Sequence, residues 1–194
     1  MKEIRNINEP ITRSGEDSRR VEGYALVFGC DSVDLGGFTE RIAPGSLDGV
    51  LERSDVLCLL NHNEGRGVLA RWRMGEGSLE LEVDNKGLRY AFDAPNTQLG
   101  DELLEGLKRG DINASSFAFT VEKEHWEKND SGDYVRTILQ FGQLFDVSPV
   151  YRPAYEDTSV KANLRGLETL KEEEAAQAQA ELDAYYDELE KLLP

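Results

Sequence analysis

Apolar and polar positions alternate along most of this chain with the two-residue period of half-buried strands. Residues 21–28, Val-Glu-Gly-Tyr-Ala-Leu-Val-Phe, become apolar on both faces toward their end, which predicts a strand buried between layers or in a barrel. A short alternating strand follows at 38–42. Pro44-Gly45-Ser46 then makes a turn, with Ser46 placed to cap a short helix through about Leu51. The apolar run 56–60 predicts another buried strand, ending at Asn61-His62-Asn63. Three strands are expected in close order at 68–74, 78–83 and 87–92, separated by the turn clusters Gly75-Glu76-Gly77 and Asp84-Asn85-Lys86-Gly87. Leu79, Leu81 and Val83 alternate with Glu80 and Glu82, so one face of that strand is wet.

The period changes at 97–109, where Leu99, Leu103, Leu104 and Leu107 fall on one side of a helix that Gly110 stops. Strands return at 116–122 and 134–141 around a polar hairpin at 127–133, and a last one is expected at 144–150. Residues 1–19 are polar and charged and read as a mobile arm or a first strand reached late. Many short strands with frequent turns and two helices predict a mainly β, α+β domain over residues 1–163, built as a barrel or sandwich. Residues 164–194 differ in kind. Ala175, Ala178, Leu182, Tyr185, Leu189 and Leu192 form an a/d stripe of under three heptads in a glutamate-rich helix, short for a stable coiled coil alone. This acidic tail reads equally as a partner-binding helix, a removable appendage, or a solvated helix packed on its own domain.

Composition excludes more than it selects. A formal net charge of −16 argues against nucleic-acid binding, which calls for a basic patch. No apolar run approaches the roughly 18 residues of a membrane span, and the first residues lack a signal-peptide core. Cys30 and Cys58 stand in apolar surroundings without CxxC spacing and are expected to be reduced and buried, as in a cytoplasmic protein. Two separated histidines make a poor metal-ligand set, so neither metal nor cofactor is expected.

Chemistry enters through serine, histidine and an acid, each at a predicted strand end: Ser116, His62 and Asp146. A serine attacks a carbonyl when a base takes its proton, imidazole serves near neutral pH, and a third group must fix the imidazole tautomer. Alternatives stand beside each assignment. Ser115 competes with Ser116, because adjacent strand residues face opposite sides. Asp146 competes for Arg136 or Arg152 as an ordinary ion pair, Ser148 reads as a turn or strand-cap residue, and Cys58 is a conceivable thiol nucleophile beside His62.

Seven stretches in order resemble the prohead serine proteases of tailed bacteriophages, which are related in fold to herpesvirus assemblin. They are Val21-Glu22-Gly23-Tyr24-Ala25, Phe38 through Leu47, Leu59-Leu60-Asn61-His62-Asn63, Gly87-Leu88-Arg89, Lys108-Arg109-Gly110-Asp111-Ile112, Ser115-Ser116-Phe117-Ala118-Phe119, and Leu144 through Tyr155. Together they cover roughly residues 20–160. The resemblance implies an assemblin-like closed or partly closed β-barrel of about six to seven strands, flanked by a few helices. It implies a serine endopeptidase with Ser116 as nucleophile, His62 as general base and Asp146 as orienting acid. The family usually has glutamate at that last position, so the orienter is one methylene shorter here. Assemblins use a second histidine instead, and His125 is the only other one, in a polar stretch near the hairpin.

The resemblance further implies action inside the assembling prohead in the bacterial host's cytoplasm. Its substrates would be scaffold or the scaffolding segment of the major capsid protein, and the enzyme itself, with homo-oligomers formed. The competing function is a capsid assembly factor that keeps the protease fold without its activity. An unrelated esterase is disfavoured, because no Gly-x-Ser-x-Gly elbow surrounds any serine. The oxyanion donors are not located by sequence; the loop 64–67, with Gly65 and Gly67, is a candidate contributor.

Overall fold

The structure of the protein, a computed structural model, describes residues 1–7, 9–15, 18–151 and 157–192. Eleven strands and two α-helices follow in order among them: β1 Glu3–Ile7, β2 Thr12–Arg13, β3 Arg20–Val27, β4 Phe38–Ile42, β5 Asp55–Cys58, β6 Ala70–Arg73, β7 Glu76–Gly77, β8 Leu79–Val83, β9 Gly87–Asp93, α1 Gln98–Arg109, β10 Ala114–Lys128, β11 Tyr134–Val150 and α2 Asp157–Leu192. The domain is therefore α+β and mainly β. Its strands pair as two sheets. The larger runs β1-β10-β11-β5-β6-β7 with β4 also on β11, and the smaller runs β2-β3-β9-β8. Both β4 and β5 pair with β11 in parallel and the other pairs are antiparallel, so the larger sheet is mixed. Among the described residues, no ring of strand pairing closes the sheets into a barrel.

Several elements depart from the hydrophobic pattern for identifiable reasons. The two strands expected at 134–141 and 144–150 are one, β11. Gly142 reads as a break in sequence, yet a Cβ there would sit 2.8 Å from the Thr120 hydroxyl on β10. Glycine marks a close approach within a strand here, beside several register shifts in the β10–β11 ladder. No helix starts at Ser46. The chain turns through 44–50 into a short 3₁₀ turn, Leu51–Arg53, whose N-cap is Val50, and the buried Ser46 hydroxyl has no hydrogen-bond partner. Cys30 is exposed, in the loop after β3, while Cys58 is buried on β5.

Helix α1 is bounded as its sequence implies. The Thr97 hydroxyl accepts from the Gly100 N–H at its start, and Gly110, with φ 76°, closes it in the left-handed region. Its Leu103 and Leu104 join the core, where Phe117 and Phe119 of β10 meet Phe141 of β11, with Tyr90 and Phe92 of β9 nearby in the same cluster. This packing gives the middle of β10 a rigid seat.

The polar first segment is not a loose arm. Strand β1 pairs antiparallel with β10, Glu3 opposite Phe119 through Ile7 opposite Ser115. Glu3 and Arg5 are buried and satisfy each other and β4 and β11. Arg5 makes a two-pronged bond to Glu40, 2.7 and 2.8 Å, and a third to Glu3 at 2.8 Å. Arg136 bonds Glu3 through both terminal nitrogens, at 2.7 and 3.0 Å, and Glu40 at 2.7 Å. Burial alone would favour loss of the Arg136 charge, but hydrogen bonding to Glu3 and the field of Glu40 outweigh it and hold the guanidinium protonated.

The chain divides into two compact units, Met1–Glu156 and Asp157–Pro194. In the second, α2 begins at Asp157, before the residue at which the sequence pattern changes. Its stripe positions Ala175, Ala178, Leu182 and Tyr185 are exposed. None of the helices among the described residues is long and apolar enough to cross a membrane.

Candidate active site

Strand register decides which groups on β10 and β11 share a face. Ser116 lies opposite Ser148, and Ala118 opposite Asp146, so these four side chains point the same way. Phe117 and Val147 point the other way, into the core. Ser115 goes with them, and its hydroxyl meets that of buried Tyr90 at 2.9 Å. Of the two adjacent serines, Ser116 is the one on the face of Asp146.

The imidazole reaches this face from the next strand. Residues Asp146 and Val147 pair in parallel with Leu57 and Cys58, so the turn leaving β5 runs beside β11. In that turn Asn63 N–H donates to Leu60 O at 3.2 Å, and Asn61 and His62 have φ of 55° and 56°. Asparagine is among the residues that tolerate this left-handed region best, and the Asn61 N–H bond to Pro149 O, 2.9 Å, ties the turn to β11. Replacing Asn61 by valine should therefore destabilise the turn by about 1–2 kcal/mol and re-aim His62, whereas Asn61→Gly should fold normally. Paired thermal melts and activity assays check this, and equal behaviour of the two variants would refute it.

His62 Nδ1 lies 2.5 Å from Asp146 Oδ1, and Nε2 lies 2.5 Å from Ser116 Oγ. An ionised carboxylate can only accept, so Nδ1–H is the donor to Asp146. That tautomer leaves Nε2 of neutral His62 free to accept a proton from Oγ. The same Oδ1 also accepts from the Ser148 hydroxyl at 2.7 Å, and Lys2 Nζ stands 3.6 Å from Oδ2. The shorter acid reaches because β5 and β11 are hydrogen-bonded neighbours, at about 4.8 Å strand spacing.

The competing assignments resolve differently. Arg136 is engaged by Glu3, Glu40 and Glu124 and does not pair with Asp146; Arg152 lies outside the described residues. His125 projects from the exposed arm of β10, 3.9 Å from Glu127. Burial, reinforced by the Asp146 charge, pushes the Cys58 thiol well up, which disfavours the thiolate that nucleophilic attack would need. In the loop after His62, the N–H groups of Arg66 and Gly67 are already bonded to Asn63 O and Glu64 O.

Three contacts at the site escape sequence reasoning. Ser148 stands two residues from Asp146, and same-face periodicity could have revealed it. Lys2 and the Arg5 carbonyl, which accepts from Ser116 Oγ at 2.9 Å, come from the polar first segment, read as a mobile arm or a first strand reached late. Among the described residues, no group of three or more His, Cys, Asp or Glu is placed to hold a metal ion.

The family model of the caudovirus prohead serine protease matches residues 6–173. Among solved structures, the capsid assembly protease of bacteriophage T4, gp21, is similar with a TM-score of 0.44 and 12% identity, over 77% of this chain and 97% of that one. The search of curated proteins gave no match.

Proposed function

The chain belongs to the caudovirus prohead serine protease family, and on that premise we propose that Ser116, His62 and Asp146 are its nucleophile, general base and orienting acid. The observation that carries the assignment is the unbroken chain of contacts from Asp146 through His62 to Ser116. As Oγ attacks the scissile carbonyl carbon, its proton passes to Nε2, and Asp146 stabilises the imidazolium that forms. His62 then gives that proton to the leaving amine, and the acyl-Ser116 ester is hydrolysed by a water that His62 deprotonates. Ser148 holds the acid from behind.

The substrates we propose are scaffold or the scaffolding segment of the major capsid protein, together with the chain itself, cut inside the assembling prohead in the bacterial cytoplasm. Family membership supports this choice. Residues 1–163 would carry the catalysis, and the acidic tail, 164–194, would mediate packaging or self-association; its exposed Leu182, Tyr185 and Tyr186 offer the apolar contacts. A partly closed, assemblin-like barrel is favoured by the packing of β3 beside β1 and β10 and of β8 beside β6, which brings the two sheets together on both sides.

The test is intact-mass analysis of the purified chain incubated with its cognate major capsid protein between pH 5 and 8. Discrete fragments should accumulate, and faster as pH rises, because a histidine base acts only in its unprotonated form. A flat pH profile would remove His62 from the base role. Unchanged masses throughout would favour the assembly factor.

A further inference from the structure

The site just described is closed. Ser116 has 0% of its surface exposed and Asp146 2%, so no peptide carbonyl reaches Oγ in this arrangement. Strand β1 and the residue before it touch the site. The strand is the edge strand of the larger sheet, laid along β10 so that Asn6 faces Ser116. Its segment makes two contacts with the proposed machinery: the Arg5 carbonyl accepts from Ser116 Oγ at 2.9 Å, and Lys2 Nζ stands 3.6 Å from Asp146 Oδ2.

Proton bookkeeping makes the first contact inhibitory. Oγ carries one hydrogen and has two acceptors within reach, Arg5 O and His62 Nε2. While that hydrogen lies on Arg5 O it is off the Oγ–Nε2 line, so His62 cannot take it and the nucleophile is not activated. Geometry makes the second point. Without β1, β10 would present the free edge of a sheet beside the nucleophile, which is the surface an extended peptide joins by adding a strand.

We propose that β1 is a self-inhibitory strand that occupies the place of the substrate along β10, and that substrate peptides bind there as an extended strand once β1 is displaced. This rests on the assignment of Ser116 as nucleophile. The buried pairs of Glu3 and Arg5 with Glu40 and Arg136 are the latch. Glu40 and Arg136 also pair with each other, at 2.7 Å, a bond that does not involve β1 and gives these buried charges a partner once β1 is displaced.

A reversible lock tests this in the full chain. Ile4 and Ala118 are direct cross-strand partners, at the Cα spacing that a disulfide spans. Ile4→Cys with Ala118→Cys, in a Cys30→Ser background, is compared oxidised and reduced for labelling of Ser116 by a fluorophosphonate. A separate Ile4→Pro variant weakens the β1 pairing, and circular dichroism confirms that each protein is folded. The oxidised form should label at least tenfold more slowly than the same protein reduced, and Ile4→Pro at least tenfold faster than the parent. Equal labelling of the oxidised and reduced forms overturns the inhibitory strand and leaves the serine protease assignment standing. Absence of labelling in every form, Ile4→Pro included, takes down both.

Discussion

Ser116→Ala should lower proteolysis of the capsid protein by a factor on the order of 10⁴–10⁶ while the domain stays folded. The alanine removes the one atom that His62 Nε2 touches and leaves the Asp146–His62 contact in place. Its methyl group fits where the hydroxymethyl was, and the lost bond to Arg5 O should cost about 1 kcal/mol, too little to unfold the domain. Ser115→Ala is the matched control, one residue away on the opposite face. It strips the Tyr90 hydroxyl of its bond to Ser115 in an interior where burial already drives the phenol's pKa upward. That variant should lose about 1–3 kcal/mol of stability and keep its turnover. Thermal melts and kcat/KM on a capsid-derived peptide separate the two effects. Loss of catalysis in Ser115→Ala with Ser116→Ala still active would mean that the register of β10 is not the one described.

Arg136→Ala should produce the largest loss of stability. The guanidinium is 3% exposed and serves Glu3 and Glu40, both buried, as well as Glu124 at the rim. Removing it leaves Arg5, among the described residues of this network, to face three carboxylates, two of them shut away from water. Breaking a buried ion pair from one side costs about 3–5 kcal/mol, because the abandoned charge has no solvent. For a domain of this size that is a fall of roughly 10 °C in Tm. An exposed pair behaves otherwise: Arg41→Ala, which breaks the contact with Asp31 on the surface, should cost no more than about 1 kcal/mol. Comparable melting of the two variants would show that the buried network adds nothing to stability.

The latch and the chemistry share residues of opposite parity. In β1, Glu3 and Arg5 face the buried network, while Lys2 approaches the acid on the catalytic face. A strand built this way can be held firmly from one side while its backbone accepts the Ser116 hydroxyl.

Much of the molecule was written in local pattern. The strands around Tyr24, Phe38 and Leu81, the capped helix α1, and the acidic helix all follow from periodicity and from the residues that end them. The ordered motifs pointed to Ser116, His62 and Asp146 together. Three things were decided only by the tertiary structure. Which of Ser115 and Ser116 lies on the face of Asp146 depends on the register of β10 against β11, which a serine pair cannot encode. The reach of Asp146 depends on the parallel pairing of β5 with β11, which brings residues 84 positions apart within 2.5 Å. The order of the first segment depends on charge. A hydrophobicity pattern counts Glu3 and Arg5 as solvent-facing, but glutamate and arginine side chains that neutralise one another can be buried as a set, and their partners, Glu40 and Arg136, are supplied by strands distant in sequence.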